Sequence, residues 1–345
     1  MRLWRGIAGV LALGFVAAGV TPAWACACGG YLPSLESRAR ASGEKALVRY
    51  DDRGVEEITL SMAINGSSKK AAWIMPVPNP AKLELGDTNL FPRLDEVTAP
   101  RVVEHTTYWP FRGLDLLESD GAPGGAAAGG GVNVREQMTL GPFEIARLGG
   151  SSGTAVTDWL RTNGYVVPDS LGGNLKPYVS EGWEIVAVKL APKSADESLG
   201  GSTPPLRLTF DSDKIVYPMR LSKGATTPQA VTVYVAAPHR VDPTVLPVAG
   251  LQPTLLYAGR AQDPAMTAPA DFLTAFEVIY REPGQITSDF TFAKAATDEP
   301  YQRIEYITRN EPVWSTIGVL VAALLLIVGG FALFRRRSRL QDRAG

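Results

Sequence analysis

The side chains whose type and spacing come nearest to doing chemistry are Cys26 and Cys28, the chain's two cysteines, one residue apart. Three readings of the pair stay open. In an oxidising compartment the sulfurs close on each other as a disulfide. A C-x-C ring is cramped, and its closure-entropy benefit is only about 1.6 kcal/mol for a three-residue loop. Such a bond is strained and easily reduced, which extends the first reading toward redox chemistry. Two thiolates also suit a soft metal ion, with His105 and His239, the two histidines, as the available imidazole ligands. In the third reading Cys26 becomes a lipidated N-terminus, although Ala23-Trp24-Ala25 lacks the usual upstream leucine and carries a bulky tryptophan. The candidate disulfide Cys26–Cys28 is the expectation adopted; no catalytic, cofactor-binding or metal-binding residue is assigned, and no cofactor is expected.

Other reactive side chains stand apart from recognisable machinery. His105 follows Glu104 in a strand-like run, and His239 lies between Pro238 and Arg240; both read as structural or surface histidines. The chain has no G-x-S-x-G elbow, H-E-x-x-H, P-loop or G-x-G-x-x-G fingerprint. Asp211-x-Asp213 lacks the glycine and distal glutamate of a calcium loop. Asp51-Asp52 and Glu56-Glu57 flank a turn and are expected in solvent. Trp73, Trp109, Trp159 and Trp183 could form a sugar platform, but core packing is the expected role for most of them.

The compartment is written at the two ends. Arg2 and Arg5 precede the apolar run Ile7–Val20, and Thr21-Pro22-Ala23-Trp24-Ala25 follows. This is the layout of a signal peptide, with cleavage expected between Ala25 and Cys26. Val313–Phe334 carries no charge and, as a helix, would reach roughly 33 Å, enough for a bilayer core. Arg335, Arg336, Arg337 and Arg339 follow, and the positive-inside rule puts them in the cytoplasm. The expected location is the cell membrane, single-pass, with the body outside and the lipid bilayer as partner of the C-terminal helix. The chain's net charge of −1 hides an acidic body: residues 26–310 hold 27 basic and 33 acidic side chains, a net of −6. Bulk charge therefore argues against nucleic acid or an anionic wall polymer as a partner, a local basic patch apart, and no nucleic acid is expected; the protein or envelope ligand is left unassigned.

Elements between the ends read as an α+β pattern, mostly β with a few short helices. Ile58, Leu60, Met62 and Ile64 alternate as in a strand, and Asn65-Gly66 predicts a hairpin to Ala71–Met75, with Pro76 and Pro78 confining that strand to a sheet edge or ending it. Leu90–Val97, Thr154–Thr162 and Leu175–Val179 read as helical; Val102–Trp109, Met138–Arg147, Trp183–Leu190, Leu206–Phe210, Ile215–Leu221 and Ala230–Ala236 read as strands. Asp271–Tyr280 fits either. Residues 119–131 are a Gly/Ala-rich linker. The expected division is a signal peptide at 1–25, a β-rich subdomain at 26–118, the linker, an α+β subdomain at 132–310, the membrane helix at 313–334 and a basic tail at 335–345.

Several stretches resemble the domain-of-unknown-function 2330 family of bacterial exported proteins. They are Cys26-Ala27-Cys28-Gly29-Gly30, Trp73-Ile74-Met75-Pro76-Val77-Pro78, Trp159-Leu160 with Gly164-Tyr165-Val166-Val167-Pro168, Gly182-Trp183 with Val188-Lys189-Leu190, Pro205-Leu206 with Phe210, and Tyr217-Pro218 with Leu221. The resemblance implies an exported, often membrane-attached β-rich protein and no chemistry. The expected function is a membrane-anchored binding or structural module of the bacterial envelope. The alternatives are an envelope hydrolase using acidic residues and a thiol or metal protein built on Cys26 and Cys28.

Overall fold

The computed structural model describes residues 25–26, 29–34, 39–107, 136–140, 143–148, 153–190, 199–261, 263–310 and 313–341. Within them the chain is mostly β with a few helices, as the strand-period runs predict. It opens with β1 (Ala25–Cys26), β2 (Gly29–Pro33), β3 (Arg40–Tyr50), β4 (Val55–Ser68), β5 (Ala71–Val77) and β6 (Lys82–Leu85). Helix α1 (Leu90–Thr98) and β7 (Arg101–Thr107) follow. The hairpin β8 (Glu136–Leu140) and β9 (Phe143–Leu148) leads to α2 (Gly153–Thr162), α3 (Ser170–Ser180) and β10 (Glu184–Leu190). Next come β11 (Leu199–Ser202), β12 (Leu206–Asp211), β13 (Ile215–Tyr217), a 3-10 turn at Arg220–Gly224, β14 (Gln229–Ala237), β15 (Val241–Val245) and β16 (Thr254–Arg260). The body closes with α4 (Pro264–Thr267), β17 (Phe272–Tyr280), β18 (Phe290–Lys294), β19 (Tyr301–Gln302) and β20 (Ile304–Asn310), and α5 (Val313–Gln341) ends the described chain.

Two large sheets pack face to face. One is six-stranded, in the order β1-β2-β5-β10-β9-β8. The other is nine-stranded, in the order β19-β16-β17-β14-β3-β4-β12-β6, with β11 alongside β4. Trp73, Met75, Val186 and Val188 of the first meet Val48, Ile58, Leu60 and Val233 of the second in one apolar core. The outer face of the six-stranded sheet is covered by α2 and α3, where Val156, Leu160, Leu171 and Leu175 pack on Ile74, Ile185 and Ala187. The outer face of the nine-stranded sheet is covered in part by α1, whose Leu90, Phe91 and Leu94 pack with Leu47, Tyr234 and Leu273. Strand β5 is thus buried on both faces, which is why Ala71–Val77 reads as an unbroken apolar run rather than an alternation.

The nine-stranded sheet takes β3, β4 and β6 from before residues 119–131 and β12, β14, β16 and β17 from after them. The two stretches of chain build one sheet; the segment 119–131 itself, like Trp109, lies outside the described residues.

Several local expectations are corrected. Asn65-Gly66 is no hairpin: Gly66, at φ +90°, lies within β4, which runs on to pair irregularly with β11. The hairpin comes earlier, between β3 and β4, where the Asp51 carboxylate accepts from the Arg53 and Val55 backbone N–H groups at 3.0 Å each. Strand β5 pairs instead with β2 and β10. Its Pro76 is tolerated because β2 reaches only as far as Ile74, so no ladder bond is lost on that side. Met138–Arg147 is two antiparallel strands, β8 and β9. Ile215–Leu221 is strand only to Tyr217. The ambiguous Asp271–Tyr280 is a strand, fixed by β14 on one side and β16 on the other.

The acidic pair Glu56-Glu57 is not solvated. Glu56 is fully buried, accepting from the Val216 N–H at 3.3 Å, and Glu57 is ion-paired to Arg49. Among the described residues no helix is long and apolar enough to cross a membrane. Described side chains in α5 cover 317–318 and 320–337, short of the whole uncharged run, so the span expected over 313–334 is not established by the fold.

Candidate functional site

Strands β3, β4 and β14 supply the floor of the candidate site. Where α1 lies on the nine-stranded sheet, the floor residues are the large Leu47 and Tyr234. Four residues on along each strand, they shrink to Gly43, Ala63 and Ala230, which are cross-strand neighbours. The missing volume leaves a groove of about 520 Å³ between α1 and the segment 202–205. Phe91 and Pro92 form one apolar wall; Pro204 and Pro205 line the other. Thr203 fixes the second wall. Its N–H donates to the Met62 carbonyl at 2.9 Å, its hydroxyl accepts from the Met62 N–H at 3.0 Å, and its carbonyl accepts from Ser61 Oγ at 2.7 Å.

The polar centre is one ion pair. Lys45 Nζ lies 2.6 Å from Asp95 Oδ1 and 2.5 Å from Oδ2, and Tyr234 Oη donates to Asp95 Oδ1 at 2.8 Å. Burial, reinforced by the hydrogen bond to Asp95, holds the Tyr234 phenol far above its ordinary value, so it stays a donor. Lys45 and Asp95 are both more than two-fifths exposed. A pair of that kind contributes on the order of 0–1 kcal/mol, little enough to exchange partners with a ligand. Ser61 spends its hydroxyl proton on the Thr203 carbonyl. Apolar walls with a few convergent polar groups are the anatomy of a recognition site.

The residues singled out in the sequence are scattered. Cys26 lies in β1, its backbone registered on Gly29 of β2; Cys28 lies outside the described residues, as do residues 1–24 on the far side of Ala25. His105 packs on the Tyr306 ring at 5.3 Å in the β7–β20 ribbon. His239 Nδ1 lies 2.8 Å from Asp298 Oδ2, and the Arg240 N–H donates to Oδ1 at 2.9 Å. These two contacts, the histidine first, hold the Asp298 carboxyl below its ordinary range. Trp73 and Trp159 are core residues as expected. Arg335, Arg336 and Arg337 lie exposed near the end of α5, with Arg335 over the Phe331 ring at 4.7 Å, and Arg339 continues the same helix. Among the described residues no three His, Cys, Asp or Glu side chains are grouped to hold a metal.

Sequence reasoning missed a second cluster. Arg220 stacks over the Tyr178 ring at 4.1 Å, contacts Glu181 through both terminal nitrogens at 2.5 and 2.7 Å, and places Nε 2.8 Å from Asp289 Oδ2 without the alignment of a hydrogen bond. Asp289 also accepts from Tyr178 Oη and from the Met219 N–H. The cluster ties α3 to the 3-10 turn and the entry to β18. Three sequence-distant segments meet in it, and no local spacing encodes that.

A family model described as "Uncharacterized protein conserved in bacteria (DUF2330)" matches residues 22–293. No curated protein matches the chain. Among solved structures it is similar to the crystal structure of baculovirus P35, at 9% identity over 79% of this chain and 99% of that one, with a TM-score of 0.30. It is also similar to a mutated baculovirus P35 after caspase cleavage, at 10% identity over 77% and 98%, with a TM-score of 0.31. Scores this low carry no argument about fold or function.

Proposed function

Since this chain belongs to the DUF2330 family of uncharacterized proteins conserved in bacteria, we propose that it is a binding module of the bacterial envelope, tethered to the membrane by its C-terminal helix. The observation that carries the reading is α5. It is a single 29-residue helix, Val313–Gln341, and its described apolar side chains are exposed: Leu326 is 78% and Phe334 71% exposed. Apolar surface of that extent calls for a membrane or partner. The uncharged run from Val313 to Phe334 has the length for a bilayer, and the following arginines favour a cytoplasmic end.

The binding half of the reading rests on the α1 groove. It offers shape, apolar walls and an exchangeable ion pair, with Asp95 as the carboxylate directed to it; Glu44 nearby turns into the core, where it accepts from Tyr217 Oη. A ligand with a carboxylate for Lys45 and a donor for Asp95, joined by a short apolar body, fits this arrangement.

The test compares the full chain with one ending at Asn310 in bacterial membranes. The full chain should stay in the pellet through alkaline carbonate extraction, and the shortened one should be released. Protease added to spheroplasts should digest the body of the full chain. Extraction of the full chain by carbonate, or a protected body, would refute the tether.

A further inference from the structure

A second cavity, of about 290 Å³, lies on the same sheet face beside the N-terminal end of α1, lined by Arg49, Thr59, Gly86, Asp87, Leu90 and Arg207. We infer that this cavity is an oxyanion site, taking a phosphate, sulfate or carboxylate group between Arg207 and Thr59. These two residues face each other across the β4–β12 ladder, in register. Thr59 is 1% exposed, and its hydroxyl has no hydrogen-bond partner. The Arg207 Nε is buried and likewise makes no hydrogen bond; Glu57 Oε2 lies 3.7 Å away, too far to accept one. A buried donor without an acceptor has lost its hydration with nothing in return, so two lining one cavity are a strong demand for an acceptor.

The surroundings favour an anion over a cation. Arg49 and Arg207 both line the space, and the flanking carboxylates are already engaged. Glu57 pairs with Arg49, and Glu84 pairs with Arg207 at 3.0 Å and Lys82 at 2.9 Å. Asp87 accepts from the Asn89 N–H at 2.9 Å through Oδ1 and pairs with Arg93 through Oδ2. Helix α1 has no acidic residue in its first turn and no side-chain cap from Asn89; the Leu90 N–H is taken by the Asp87 carbonyl at 3.1 Å, and the helix dipole at this end favours negative charge. A group with several acceptor oxygens answers the hydroxyl and the guanidinium together, the bidentate geometry for which arginine is suited.

The full chain in detergent is titrated by calorimetry with inorganic phosphate, sulfate and acetate, each against chloride at equal ionic strength. Melting temperature is followed in parallel. At least one oxyanion should bind and raise the melting temperature; phosphate and sulfate together indicate a tetrahedral ligand, acetate alone a carboxylate. Thr59→Val should weaken binding roughly ten- to a hundredfold, the share of one hydrogen bond to a charged group. Without anion, this variant should melt at or above the parent temperature, because it removes an unpaired hydroxyl. Arg207→Gln should also lose the anion. The inference is overturned if none of the three binds beyond chloride, or if both variants bind as the parent does. Neither result touches the membrane tether.

Discussion

Gly29→Ala tests the packing that ties the N-terminal strands to the core. Strand β2 crosses β5 so closely that a Cβ on Gly29 would stand 3.0 Å from Trp73 Nε1, 3.1 Å from the Ile74 carbonyl carbon and deep inside the contact distance of the Ile74 oxygen. An ordinary C···O contact is roughly 3.3 Å or more, so β2 must retreat by about 1 Å. It cannot do so alone. Tyr31 packs into the core between the sheets and Leu32 into the one beneath α2 and α3, and both are fully buried. Overpacking costs about 1–3 kcal/mol, and loosening a buried leucine adds on the order of 1–2 kcal/mol. The expected loss is therefore about 3 kcal/mol, a large share of an ordinary domain's stability. Guanidinium unfolding followed by tryptophan fluorescence measures it, since Trp73 lies at the perturbed contact. Gly173→Ala is the matched control: it sits in α3 with nothing within 4 Å of its added methyl and should gain up to about 1 kcal/mol of helix propensity. If Gly29→Ala unfolds within 1 kcal/mol of the parent, the close approach of β2 to β5 is wrong.

Other perturbations separate buried charge from surface charge. Burial pushes the Glu56 carboxyl well above its ordinary value, with only partial relief from Ser212 and the Val216 N–H. Its contribution is therefore fully present below about pH 4.3 and is lost as pH rises through the folded value. Glu56→Gln should gain stability relative to the parent as pH climbs above that point, and a difference independent of pH would contradict the burial. Asp289→Asn strips Arg220 and Tyr178 of a shared, nearly buried carboxylate and should cost about 3 kcal/mol in the same unfolding assay. Lys45→Met, at the exposed groove pair, should change stability by less than about 1 kcal/mol; a larger loss would make that pair structural and unavailable to a ligand.

How far the sequence could be read depended on whether a signal was local. The α1 and α2 segments were legible as helices, and Leu160 of α2 is buried as the spacing predicts, but only the second half of α3 was legible, since the helix begins at Ser170 rather than Leu175. Glu56 was legible too, though misread: it continues the alternation of Ile58, Leu60 and Met62 and so belongs to the buried face. What outvoted that period was the rule that carboxylates seek water, and the Val216 N–H and Ser212 supply what water would. Asn65-Gly66 is a true turn signal overruled by tertiary pairing, since β11 and β3 hold β4 straight on either side. The groove and the oxyanion cavity were beyond reach. Each depends on which strands become neighbours, and Thr59 facing Arg207 is a contact between residues far apart in sequence.

The two helical layers are not equivalent, and the difference locates the working face. Helices α2 and α3 cover the six-stranded sheet with paired apolar stripes. Among the described residues the outer face of the nine-stranded sheet is covered by α1, nine residues long, and the single turn of α4, whose Met266 joins the same cluster, and the sheet is wider than these can cover. Its floor accordingly divides: large apolar residues beneath the helix, small ones at one flank, arginines at the other. A sheet that needed only to be covered would carry solvent-facing polar side chains there. Instead, both flanks are hollow, and the partition between them is a single layer of backbone, where the Gly86 N–H donates to the Pro205 carbonyl at 2.8 Å. Gly86 allows that approach, because a Cβ would meet Pro205 at 2.8 Å and Thr59 at 3.0 Å. The groove and the cavity thus share one wall, with Pro205 lining the groove and Gly86 and Thr59 lining the cavity.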